Sequence, residues 1–229
     1  MTEPATMPDA PIRLVVFDWD GTLIDSTAAI THAIRMAAVD IGLPMPSAER
    51  ASHVIGLGLM DAIRYAVPEI GREQIPAYVE RYRYHFLLRD AKLAPFSGIP
   101  ELLDEIAQQG VGLAVATGKS RAGLDRALLQ LDWRGRFAAT RCADEGIPKP
   151  DPWMLNDLCE ELALAPEQIL MIGDTTHDLG MARAAGARAI AVTYGAHPRE
   201  QLSTEPALAM AESVADLRHA LLTRLSAGS

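Results

Sequence analysis

Cysteine is nearly missing from this sequence: Cys142 and Cys159 are the only two in 229 residues. Two thiols cannot staple a chain of this length, and they match no metal-ligand spacing, so a disulfide framework and a cysteine-ligated metal are excluded. Long apolar runs are missing too. The longest stretch without a charged residue, Ile106–Gly118, has 13 residues and two glutamines, too short and too polar to span a bilayer. The first ten residues, MTEPATMPDA, lack the charged-then-apolar pattern of a secretory signal and read as a loose tail. Basic residues are in deficit, 21 Lys+Arg against 30 Asp+Glu, for a net charge of −9. That balance speaks against nucleic acid, whose binders need a basic face to displace counterions. The expectation is a soluble protein of the reducing cytoplasm, with no nucleic-acid and no membrane partner.

What is present is ordinary globular material. With 49% hydrophobic and 22% charged residues a sizeable core is expected and bulk disorder is excluded. The length allows one large domain or a core carrying an insertion. Nothing in the composition bears on oligomeric state.

Ile12–Phe17 (IRLVVF) is a nearly continuous apolar, β-branched run, which suits a strand buried on both faces in a parallel sheet. Similar runs recur at Gly112–Ala116, Ile169–Ile172 and Arg188–Val192, with a weaker strand near Phe137–Thr140. Helical patterns lie between them at Pro100–Gln109, Arg121–Leu131, Asp151–Leu162 and Asp178–Ala185, and Gly110 and Gly186 stand where helix C-caps belong. Alternating strands and helices predict an α/β fold, a Rossmann-like parallel sheet with helices on both faces. Ser26 to Lys92 breaks the rhythm: it shows helical segments, punctuated by glycine and proline, and no strand. That is too long for a loop. It reads as a small helical domain (26–92) inserted into an α/β core made of 1–25 and 93–229.

In open parallel sheets the site lies at the carboxyl ends of the strands. Asp18-Trp19-Asp20-Gly21-Thr22 follows the first strand and Thr117-Gly118-Lys119-Ser120 the second. Lys149, between two prolines, precedes the fourth strand's unit, and Gly173-Asp174-Thr175-Thr176-His177-Asp178 follows that strand. Singly, each has a plain structural explanation: an Asp-rich turn, a helix N-cap, a solvated loop lysine, a carboxylate in a first helical turn. Together they bring four carboxylates, a hydroxyl and an amine to one edge. Clustered carboxylates repel unless a cation neutralises them, and an all-oxygen, carboxylate-rich set points to Mg²⁺ rather than zinc.

These segments resemble the four motifs of the haloacid dehalogenase superfamily: VFDWDGTL at 16–23, Ala116-Thr117-Gly118, Lys149-Pro150-Asp151-Pro152 and Gly173–Asp178. The resemblance runs from about Ile12 to Val192, and the helical insertion is similar to the small cap of the phosphoglycolate phosphatase-like branch. Trp19 replaces the aliphatic residue commonest there, with its side chain expected to point away from the chemistry. The resemblance implies a phosphatase acting on a small-molecule phosphate ester. Asp18 would be the nucleophile that forms an aspartyl-phosphate, and Asp20 the acid and then the base. Mg²⁺ would be held by the Asp18 carboxylate, the Asp20 backbone carbonyl and Asp174, with Asp178 close by. Thr117, the Gly118 N–H and Lys149 would bind the phosphoryl oxygens. An acid two residues after the nucleophile favours an ester over a halide substrate, because an alkoxide needs a proton to leave.

Several patterns are decoys or rivals. Gly118-Lys119-Ser120 suggests a P-loop, but that motif needs glycine at position 113, where Leu113 stands. Gly56-Leu57-Gly58 starts like a dinucleotide fingerprint, but position 61 is Asp61 and no strong strand precedes it; a turn in the cap is expected, with Gly56 and Gly58 as candidates for a specificity loop. Arg81–His85 mixes basic and aromatic residues, yet Tyr78, Tyr82 and Phe86 share one helical face and are expected to pack inside the cap. His177 is expected at the rim of an exposed turn. A phosphosugar mutase would use the same core, but its arginine-rich cap signature is not found in Ala51–Arg64. A non-catalytic binding module is disfavoured because every catalytic position is filled.

Overall fold

The computed structural model describes residues 10–90 and 92–227; apart from Ala10, the tail expected at the N-terminus lies outside the described residues. Six parallel strands form one sheet: β1 (Leu14–Phe17), β2 (Gly112–Thr117), β3 (Ala139–Cys142), β4 (Ile169–Gly173), β5 (Arg188–Val192) and β6 (Met210–Ala211), in the order β3-β2-β1-β4-β5-β6. Helices α1 (Thr27–Asp40), α2 (Ala48–His53), α3 (Leu59–Ala66) and α4 (Ile75–Asp90) follow β1. The rest alternate with the later strands: α5 (Ile99–Gln108), α6 (Arg121–Gln130), α7 (Trp153–Leu162), α8 (Thr176–Ala185), α9 (Arg199–Leu202) and α10 (Val214–Ala227).

The continuous apolar runs have a simple cause. Side chains alternate between faces along a strand, and both faces of this sheet are covered. Val15 and Phe17 enter one hydrophobic cluster with Leu102, Ile106 and Leu221. Leu14 and Val16 enter the other with Leu158 and Leu179. The α/β expectation therefore holds, with shifted boundaries. β1 begins at Leu14 rather than Ile12, and β3 lies two residues beyond the expected Phe137–Thr140. β6, only two residues long, carries too little pattern to be anticipated. α7 starts at Trp153 because Pro152 is its N-cap, and α8 starts at Thr176 because Thr175 caps it. Gly186 (φ 75°) caps α8, and Gly110 (φ 74°) follows the last residues of α5, both in the left-handed region that glycine adopts without strain.

The segment α1–α4 has a hydrophobic cluster of its own, including Ile30, Ile34, Ile63, Tyr78 and Phe86. Its two ends are tied together: the Asp25 N–H donates to the Ala94 carbonyl (3.1 Å), and the Phe96 N–H to that of Leu23 (3.1 Å). Trp19 is buried, with its ring edge-on to Trp133 (5.9 Å) and Phe137 (6.4 Å). No helix among the described residues is long and apolar enough to cross a membrane.

Candidate active site

Phe17 at the end of β1 is in register with Val115 of β2 and Ile172 of β4. The residues just beyond these strands therefore emerge side by side at the carboxyl edge. Asp18 continues β1 with its N–H on the Ile172 carbonyl (2.9 Å), Thr117 closes β2, and Asp174 follows β4. Lys149 reaches the same place from the loop after β3, across a cis Lys149–Pro150 peptide.

Asp18, Asp174 and Asp178 are fully buried, and each offers a carboxylate oxygen within 4.8 Å of the others. Lys149, 1% exposed, donates to Asp18 Oδ1 and Asp178 Oδ1, both at 2.6 Å. Asp178 Oδ2 accepts from the Thr175 N–H (3.0 Å) and hydroxyl (2.7 Å) and so also caps α8. Asp174 accepts from the Thr22 hydroxyl (2.8 Å) and the Ala196 N–H (2.7 Å). Asp18 Oδ2 is different: it is buried and has no hydrogen-bond partner. Gly21, at φ 86°, leaves room for Asp174, which a side chain there would strike.

The electrostatics follow from this packing. Burial, opposed by Lys149, pushes the Asp18 carboxyl up to about 7. Burial, with the charges of Asp18 and Asp178, raises Asp174 well above the usual carboxylate range. Burial pulls the Lys149 ammonium down, but Asp178 and Asp18 outweigh it and raise its pKa. Three buried carboxylates stand around one ammonium, which pairs with Asp18 and Asp178 but not with Asp174.

Asp20 lies at the same edge but outside the 4.8 Å cluster of Asp18, Asp174 and Asp178, and its charge still raises the Asp18 pKa. Its Oδ1 accepts from the Ser26 hydroxyl (2.7 Å) and pairs with Lys119 Nζ (2.9 Å). The reason is direction: Asp20 lies past the Trp19 turn and faces α1 and β2 rather than β4. Thr117 is fully buried, and its hydroxyl oxygen accepts the Lys119 N–H (3.2 Å). Gly118 lies beneath the Gly56–Gly58 loop: a side-chain carbon there would sit 2.6 Å from the Gly56 carbonyl oxygen. Gly56 (φ 90°) itself faces Thr175, and Gly58 faces Pro148. The loop predicted to be near the site is thus packed on it.

His177 lies in the first turn of α8 rather than in an exposed turn. It is half-buried, and its Nε2 and that of His197 both donate to the His53 carbonyl at the end of α2 (2.9 and 3.0 Å). His197 Nδ1 then accepts the Thr176 N–H (3.1 Å), the neutral tautomer that its burial-lowered pKa of about 4 requires. Ser52 adds a bond to the Ala196 carbonyl (2.8 Å). Sequence reasoning missed Lys119, Ser26 and Thr22 as site residues. Thr22 was visible inside the first motif, Lys119 was dismissed with the P-loop, and Ser26 carried no signal.

A buried unpaired carboxylate oxygen, a second carboxylate on separate partners and a buried ammonium suit covalent transfer of an anionic group. Comparison with known proteins identifies the family. The family described as haloacid dehalogenase-like hydrolase matches residues 15–192. The chain is 31% identical over 201 residues to a phosphoglycolate phosphatase of Aliivibrio fischeri, covering 84% of this chain and 88% of that protein. It is 33% identical over 199 residues to an N-acetylmuramic acid 6-phosphate phosphatase of Pseudomonas aeruginosa, covering 82% and 85%. A solved hydrolase of Pseudomonas syringae shares the fold, with a TM-score of 0.83 at 23% identity over 91% of this chain and 97% of that one. Motifs, sheet edge and family match coincide: this chain belongs to the haloacid dehalogenase-like hydrolases.

Proposed function

We propose that this chain is a Mg²⁺-dependent phosphatase that hydrolyses a small-molecule phosphomonoester through an aspartyl-phosphate on Asp18, with α1–α4 (26–92) acting as a cap over the core (1–25 and 93–229). The observation that carries the reading is Asp18 Oδ2, an oxygen left unpaired in a cage where every other carboxylate is held. In the first step that oxygen forms a bond to phosphorus while the bond from phosphorus to the ester oxygen breaks, and Asp20 gives the departing oxygen its proton. In the second, Asp20 takes a proton from water as the water oxygen attacks phosphorus, releasing phosphate and restoring Asp18. Lys149 keeps Asp18 oriented through Oδ1 and meets the negative charge of the phosphoryl group; Thr117 and the Gly118 N–H offer it hydrogen bonds.

The donor set fits a hard divalent cation: only oxygens, three carboxylates within 4.8 Å, and one ammonium among them. Asp18, Asp174 and the Asp20 backbone carbonyl would hold it, with Asp178 kept nearby by Lys149 and Thr175. Bound Mg²⁺ supplies positive charge that lets a phosphate dianion approach three carboxylates. Phosphoglycolate phosphatases among the relatives make small phosphate esters the natural panel. The test is release of free phosphate from such a panel with Mg²⁺; the reading requires release by the wild type and none by Asp18→Asn.

A further inference from the structure

A cavity of about 410 Å³ lies between the α1–α4 segment and the carboxyl edge of the sheet. Asp18 is fully buried and is not part of the lining; the cavity meets the site at Asp20 and Gly118. Asp20 also borders a second space of about 320 Å³, which Trp19, Asp90 and Gln130 help to line and which does not reach Gly118. The larger cavity touches both Asp20 and Gly118, so it is the space that meets an ester whose phosphoryl group lies at Gly118 and whose ester oxygen lies at Asp20. Its volume lies in the range that accepts drug-sized ligands, roughly 300–1,000 Å³.

The walls beyond Asp20 are mostly apolar, with Ile34, Ile55, Leu57, Ile63 and Phe86 prominent among them and a minority of polar groups between. Most of the polar wall groups are already engaged. The Tyr78 hydroxyl donates to the Ile34 carbonyl (3.0 Å), Arg126 pairs with Asp90 (2.8 Å), and Ser120 accepts the Gly123 N–H (3.3 Å). Lys119 is paired with Asp20 and rests 4.8 Å from the centre of the Phe86 ring. The side chains of Tyr82 and Arg83 have no hydrogen-bond or ion-pair partner among the described residues. A polar body placed against these mostly apolar walls would lose water and find few partners, a cost that an apolar body is spared.

We infer that the substrate is a phosphomonoester whose alcohol carries an extended apolar body, aliphatic or aromatic, with at most a polar tip for Tyr82 or Arg83. This rests on the phosphatase reading above and departs from what phosphoglycolate, a phosphorylated two-carbon acid, would need.

The test measures kcat/KM for ethyl, butyl and hexyl phosphate, whose leaving alcohols are similarly basic, beside phosphoglycolate and glucose 6-phosphate. Burial of a methylene favours binding roughly fourfold, so four more of them should raise kcat/KM on the order of 10²-fold from ethyl to hexyl, with hexyl phosphate above both polar esters. Leu57→Asp, on a half-buried loop outside any helix, should cut the hexyl-to-ethyl ratio at least tenfold. A flat or falling series, a polar ester as best substrate, or an unchanged ratio in Leu57→Asp overturns the inference and leaves the phosphatase reading intact. No phosphate from any of these esters, nor from p-nitrophenyl phosphate, overturns the phosphatase reading itself.

Discussion

Lys119 and Asp20 form an ion pair of 2.9 Å at the junction of the core and the helical segment. The Ser26 hydroxyl, at the N-cap of α1, holds the same Asp20 oxygen at 2.7 Å. Asp20, the proton donor in the proposed reaction, is thus held by two partners. Lys119→Met keeps the stem over Phe86 and removes the charge. Misplacing the acid should lower kcat/KM about tenfold for an alkyl phosphate, whose alkoxide needs a proton, and much less for p-nitrophenyl phosphate. Equal losses on both substrates would mean that Lys119 binds the phosphoryl group instead.

Lys149 is a buried cation with two buried carboxylate partners. Removing one member of such a group leaves uncompensated charge and typically costs about 3–5 kcal/mol. Lys149→Met should lower unfolding free energy by that order, measured by urea denaturation in metal-free buffer. A change below about 1 kcal/mol would contradict the ion pairing described here.

The three-carboxylate cage makes a metal prediction. EDTA should abolish phosphate release and Mg²⁺ restore it, with Ca²⁺ a poor substitute because its looser, higher coordination misplaces Asp18. Independently of activity, Mg²⁺ should raise the melting temperature of the wild type by binding the folded state. Asp174→Asn should lose most of that increase. Full activity in metal-free buffer would sink the Mg²⁺ assignment.

Because Asp25 and Ala94 are hydrogen-bonded neighbours, residues 26–92 can be replaced by a short linker without separating the core's ends. The trimmed core should still cleave small activated esters but lose its ranking among substrates. A folded core that kept the parent's ranking would remove the cap from the account of specificity.

The sheet was legible because its strands are buried on both faces, so LVVF and ILMI stand out as unbroken apolar runs. Asp18, Thr117 and Asp174 were legible because each ends or closely follows such a run, whereas Lys149 and Asp178 stood out only through the motifs around them. The rest was hidden for identifiable reasons. β6 is two residues long, and its pairing with β5 rests on the tertiary fold. The His53–His177–His197 group joins three distant segments, so no local pattern betrays it. Asp20 lies outside the cluster of the other three carboxylates, held by Lys119 and Ser26, and neither partner has a spacing that announces the role. The cavity is a property of two surfaces meeting, which no single stretch encodes.

The central claim is that Asp18 carries the phosphoryl group while Asp20 moves protons, and p-nitrophenyl phosphate separates the two roles. Its phenolate leaves without a proton, so Asp20→Asn should still phosphorylate Asp18 and then stall, because water attack lacks its base, a contribution typically worth ~10²–10⁴-fold. Rapid mixing should show a burst of nitrophenolate near one equivalent per active site in Asp20→Asn, followed by very slow turnover, and no burst in Asp18→Asn. Steady turnover by Asp18→Asn, or the same time course for both variants, would contradict the account.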